Sequence, residues 1–185
     1  MNLTGGFKKI HLTPNAFLAL VLAIAVGLII LLVLLLHPSS VQKVENTELQ
    51  SISRSVRQHF QKKLDYRGLN TAYALENGII PAQMARASKV FSSLSCEIII
   101  GGDINGRTVA PFENTFNVVY KNLDAQKCQD LITSKFDAAA GLKSITVSNK
   151  NSYEFSYGGN LALPVSERAA KEHCSARNTV MFTFE

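Results

Sequence analysis

Residues 16–36 read AFLALVLAIAVGLIILLVLLL, without a charge, an amide or a hydroxyl. At ~1.5 Å rise per residue, a helix of this length reaches about 31 Å, the thickness of a bilayer's hydrocarbon core. Its backbone groups pair within the helix, which is the condition for crossing lipid. Buried core helices seldom run this far without one polar residue, so 16–36 predicts a transmembrane helix.

The pattern then changes. His37-Pro38-Ser39-Ser40 ends or kinks the span, and either serine can cap the next helix. Val41, Val44, Leu49, Ile52, Val56, Phe60 and Leu64 recur at three- to five-residue steps, with Arg54, Arg57, Gln58, Gln61 and Lys62 on the other side. An amphipathic helix is predicted over 37–64. Its stripe has two readings: cover for the domain's own sheet, or, in part, a seat for neighbouring subunits. Glu45 and Glu48 fall on or beside the upper half, so Val41, Val44, Glu45 and Glu48 are the candidate subunit-packing residues.

Residues 65–84, DYRGLNTAYALENGIIPAQM, predict a short helix begun by Asn70-Thr71 and ended by Asn77-Gly78. Pro81 bars its continuation and suits the first turn of another short helix. To about Leu94 the chain reads as a connection with helical pieces. From Cys96 the period falls to two. Strands are predicted at 96–100, 115–120, 142–147, 153–157 and 179–184. Asn105-Gly106 signals a type I′ hairpin. Asp124 should cap a helix running to about Phe136, and Ser166 a shorter one before Cys174. One long helix against an antiparallel sheet is an α+β arrangement.

Composition adds constraints. After residue 36 there is room for one head domain, 65–185, preceded by its helix. The net charge of +5 is scattered, without a block of like charges, which argues against a nucleic-acid partner. Cys96, Cys128 and Cys174 hint at one disulfide and an oxidising compartment, with one thiol left over. Lys8 and Lys9 before the span nearly balance Lys43 and Arg54 after it, so charge alone barely orients it. The cysteines favour the head outside the cytoplasm. Residues 1–15, MNLTGGFKKIHLTPN, form a cytoplasmic tail or a short leader cut between Gly6 and Phe7. The apolar run is too long for a cleaved secretory signal, and no small-x-small site stands directly after it.

No chemistry of catalysis emerges. Gly101-Gly102-Asp103-Ile104-Asn105-Gly106 lacks the following Lys-Ser/Thr and reads as a tight turn. His173-Cys174 has no CxxC or HxxxH partner for zinc. There is no GxSxG. The expectation is a non-enzyme without cofactor or metal.

The chain resembles the type IV pilins, in particular the type IVb kind. A membrane-spanning helix continues into an amphipathic one. LNTAYALENGIIPAQM is similar to that family's connecting region, and TFNVVYKNLDAQKCQDLITSKF to its strand, turn and cysteine-bearing helix. Cys174, Asn178-Thr179 and an apolar last strand are similar to its second cysteine and closing strand. The resemblance implies a disulfide between Cys128 and Cys174 with Cys96 free. The competing pair, Cys96 with Cys128, would leave the last strand untethered. It also implies a single pass through a bacterial inner membrane, bound by its lipid, with the N-terminus cytoplasmic and the head periplasmic or, after assembly, on an extracellular pilus. The implied partners are prepilin peptidase at Gly6-Phe7, other pilin-like subunits, and pilus, secretion or conjugation assembly proteins. The N-terminus departs from the family pattern. Counting from Phe7, His11 stands where those pilins carry the acid that pairs with a neighbour's terminal amine, and KKIHLTPN delays the apolar run. The alternative is therefore a non-polymerising anchor whose pilin-like head is an interaction module.

Overall fold

The computed structural model describes residues 26–28, 40–136 and 140–185. The predicted span 16–36 and the Gly6-Phe7 junction lie outside them, apart from 26–28, which are helical. Among the described residues no helix is long and apolar enough to cross a membrane. Two compact units divide at Ser40 and Val41, and the second, running to Glu185, carries the elements below apart from the first residue of the long helix.

Helix α1 spans Ser40–Phe60. Leu49, Ile52, Val56 and Phe60 are buried along one stripe, joined by Ser53, whose hydroxyl donates to the Ala140 carbonyl at 3.1 Å. The helix stops four residues short of the predicted end. Lys63 N–H donates to Phe60 O at 2.8 Å and turns the chain, so Leu64, expected on the stripe, is fully exposed.

Next comes α2 (Thr71–Glu76), where the Asn70 side chain caps the Tyr73 N–H. A 3₁₀ turn follows at Ala82–Met84, where Pro81 suggested a short helix. Strands β1 (Ala85–Arg86) and β2 (Lys89–Phe91) occupy a region read from sequence as connection only. Two or three residues are too few to show a period.

The remaining strands are β3 (Glu97–Gly101), β4 (Phe116–Leu123), β5 (Leu142–Ser148), β6 (Ser152–Ser156), β7 (Leu161–Ala162) and β8 (Asn178–Phe184). Helices α3 (Ala125–Ile132) and α4 (Glu167–His173) interrupt them. The sheet order is β1-β2-β3-β4-β8-β5-β6-β7, which sets the C-terminal strand between β4 and β5. Every pairing is antiparallel except β6 with β7.

Register decides the core. Val118 lies opposite Ile100 and Phe182, and Phe182 opposite Ile145, so these side chains share one face. All four are buried. The helices cover this face. Phe60 touches Tyr66 at 5.4 Å between ring centroids, Tyr66 touches Phe116 at 4.7 Å, and Phe116 stacks on Phe184 at 5.5 Å. This is a two-layer α+β domain.

Two further expectations change. Asn105-Gly106 is not the hairpin turn between β3 and β4. It closes a small excursion inside the connecting loop, with Gly106 N–H donating to Asp103 O at 3.0 Å, and only Gly106 of the pair has positive φ. Helix α3 ends at Ile132 rather than near Phe136. The Thr133 and Ser134 hydroxyls donate to the Gln129 and Asp130 carbonyls at 2.8 and 2.9 Å, which competes with further helix.

Candidate functional site

Among the described residues no catalytic cluster organises the head, so the relevant geometry is what holds the long helix, its connection and the C-terminal segment in place. Val41, Val44 and Glu45 lie in the first two turns of α1. Glu48 is half-buried and turned inward, accepting the Ser93 N–H with both carboxylate oxygens at 3.1 Å. That contact ties α1 to the turn between β2 and β3. The structure thus gives Glu48 an intramolecular partner that helical periodicity could not show.

The connection after α1 is pinned repeatedly. Tyr73 O–H meets His59 Nε2 at 3.0 Å and Lys63 Nζ at 3.1 Å. Thr71 Oγ1 donates to Ile100 O and accepts from Ile100 N, at 3.2 and 2.9 Å. Asp65 accepts from the Phe112 and Arg67 amides at 2.8 and 3.2 Å. The Phe112 N–H above all holds the Asp65 carboxyl below the ordinary carboxylate range. Asp103 is lowered in the same way, chiefly by the Arg107 N–H, in its own loop.

At the other end, Cys128 of α3 is joined to Cys174, directly after α4, with Cα atoms 5.9 Å apart, and Cys96 is buried and takes no part in the disulfide. Asn178, named from sequence only in the family likeness, has a bonding role that sequence reading missed. It is 1% exposed, donates to Leu123 O and Ser175 O at 3.2 and 2.6 Å, and accepts the Ser175 N–H at 2.8 Å. Asn149 donates to His173 O at 2.8 Å. Two asparagines and a disulfide therefore lock the approach to β8. The one local sign was a polar residue heading an apolar strand.

A groove of about 750 Å³ runs beside the second half of α1. Phe60 and Tyr66 form apolar wall, and Arg54, Arg57 and Lys63 supply cations. Burial pushes the Tyr66 phenol up against the opposing pull of Arg57, which hydrogen-bonds it. Among the described residues no cluster of three His, Cys, Asp or Glu side chains could hold a metal.

An amphipathic helix over an antiparallel sheet is a fold shared with solved type IV pilins. The solved type IVb pilin of Salmonella typhi matches with a TM-score of 0.52 and 17% identity, over 75% of this chain and 95% of that one. TcpA, a type IV pilin of Vibrio cholerae El Tor biotype, matches with a TM-score of 0.53 and 15% identity, over 80% of this chain and all of that one. A comparison with curated proteins finds no match. The chain belongs to the PilS family, whose N-terminal model, described as PilS N terminal, matches residues 39–185.

Proposed function

We propose that this protein is a membrane-anchored structural subunit, a minor or divergent type IVb pilin, of a type IV pilus or a pilus-related secretion or conjugation apparatus. The observation that carries the reading is an order along the chain: an uninterrupted apolar stretch at 16–36 runs directly into a pilin-family head at 39–185. In this reading 16–36 holds the chain in the bacterial inner membrane, residues 1–15 face the cytoplasm and the head is periplasmic. Prepilin peptidase cuts between Gly6 and Phe7, and the first turns of α1, including Val41, Val44, Glu45 and Glu48, pack against other subunits.

The second reading keeps the anchor but not the polymer. His11 and the KKIHLTPN segment favour it, because a histidine five residues from the junction cannot neutralise a neighbour's amine. The head then recruits other envelope components as an interaction module.

N-terminal sequencing of the protein from its native membrane separates the two. A chain starting at Phe7 is expected for the subunit. Retention of Met1 or Asn2 overturns it in favour of the second reading. A reporter fused after Glu185 should be active only outside the cytoplasm, and cytoplasmic activity defeats both.

A further inference from the structure

Ala110-Pro111-Phe112-Glu113 is a four-residue turn in which Glu113 N–H reaches Ala110 O at 3.4 Å. Proline is second, and Phe112, third, has φ +67°. That is the arrangement of a type II turn, whose third position calls for glycine or asparagine. A phenylalanine there is strained, and burial gives nothing back, since Phe112 is 87% exposed. Among the described residues its ring meets the Arg67 guanidinium, 5.3 Å from the centroid. The turn is nevertheless held firmly. Asp65 accepts the Phe112 N–H, Tyr66 N–H donates to Glu113 O at 3.1 Å, and Gly68 and Leu69 pair with Val109. A rigid loop that presents a strained aromatic to solvent has broken a local rule for the modest return of one exposed cation–π contact.

The same chain carries a surface of matching chemistry. The groove beside α1 offers Phe60 and Tyr66 as apolar wall and Arg54 and Lys63 as cations. Phe112 does not line it, although Asn114, two residues on, does. The tip is therefore beside its own groove but does not fill it. Exposed Glu113 places a carboxylate next to the ring, which complements the groove's cations Arg54, Arg57 and Lys63, although Asp65 and Glu185 also line it and leave its balance only mildly positive.

We propose that the Phe112-Glu113 tip of one copy seats in the α1 groove of a second copy of this chain. The inference deepens the subunit reading above and rests on it.

The test uses the full-length chain in its native membrane, with p-benzoylphenylalanine installed at position 112. Irradiation should give an adduct of twice the chain mass, with the cross-linked peptide falling between Arg54 and Tyr66. An adduct with lipid, with a different protein, or with another region of the chain overturns the proposal. Phe112→Gly supplies the second arm. The turn prefers glycine, so its melting temperature should hold or rise while self-association of the solubilised chain weakens at least about tenfold. A lower melting temperature would make the ring structural, and unchanged association would make it irrelevant; either result defeats the proposal. Arg54→Glu, at an exposed position, should weaken association from the groove side, and its failure to do so also counts against the contact. The N-terminal residue is read from the same preparation. Retained Met1 or Asn2 removes the pilus-subunit reading and leaves the adduct standing or falling by itself.

Discussion

Glu48 and Ser93, forty-five residues apart, are joined by one amide N–H that meets both carboxylate oxygens at 3.1 Å. Glu48 stands one position before Leu49, a buried residue of α1's stripe. The bond therefore fixes where the long helix crosses the β2–β3 turn. Glu48→Ala should cost about 1 kcal/mol, less than the roughly 1.5–3 kcal/mol of a well-buried hydrogen bond to a charged group, because Ser93 is exposed and Glu48 only half-buried. Thermal melts should show a drop of roughly 3 °C, and hydrogen exchange at the Ser93 amide should accelerate. Unchanged exchange at Ser93 would mean the contact is absent in solution.

Glu48 also marks where sequence reading stops. Leu49, Ile52, Val56 and Phe60 are legible because helical periodicity is a local property and burial follows it. The strands around Val118, Ile145 and Phe182 are legible for the same reason with period two. The Ser93 contact, the placing of β8 between β4 and β5, and the Asn178 bonds to Leu123 and Ser175 depend on tertiary placement. No spacing encodes that. Leu64 shows the converse error. It fits the helical period, but the turn at Lys63 ends the helix first, and the side chain has nothing to pack against. The disulfide was reachable through family likeness and not through the cysteines alone, since three of them allow three pairings. Phe112 carried only a faint signal, a proline before an aromatic.

Asp65 sets an acid limit on the connection between α1 and the sheet. Its carboxyl is lowered chiefly by the Phe112 N–H, with Arg67 adding further hydrogen bonds and charge. A lowered folded value means that the unfolded chain binds the proton more readily. The stabilisation is thus fully present above the ordinary carboxylate value of ~3.9 and is lost as pH falls from there through the folded value. Asp103 acts in the same direction and in the same window. Asp65→Asn should flatten the fall in melting temperature between about pH 5 and pH 2 relative to the native protein. An identical acid profile in the two proteins would show that Asp65 is not lowered.

The Cys128–Cys174 bond closes a sequence separation of 46 that holds β5, β6, β7 and α4. In the chain-entropy account a loop of that size contributes ~4 kcal/mol, against roughly 5–15 kcal/mol for a whole domain. Replacing both cysteines by alanine should lower the melting temperature by about 10 °C. The loss should be felt first at the β8 end, where Ser175 and Asn178 depend on the same approach. Non-reduced peptide mapping should recover a Cys128–Cys174 peptide. Recovery of a peptide containing Cys96 with either partner would contradict the pairing.

Gly141 offers the sharpest test of how the C-terminal end meets α1. Its φ is +69°, and a Cβ there would stand 2.6 Å from the Glu185 carbonyl oxygen and 3.1 Å from Arg57 Nη1. The backbone carbonyl cannot move away cheaply, because Glu185 N–H donates to Gly141 O at 2.9 Å and holds the two segments together. Gly158 supplies the control, with φ +77° and open space around its missing Cβ. Both alanine variants carry the left-handed backbone penalty of ~1 kcal/mol, but only Gly141→Ala adds a collision with main chain. Gly158→Ala should therefore lower the melting temperature by about 3 °C, and Gly141→Ala by at least twice that. Gly141→Ala should also disturb the Arg57–Tyr66 contact lining the groove, seen as a change in Tyr66 absorbance on alkaline titration. Equal losses in the two variants would mean that the Glu185 end does not pack on Gly141 in solution.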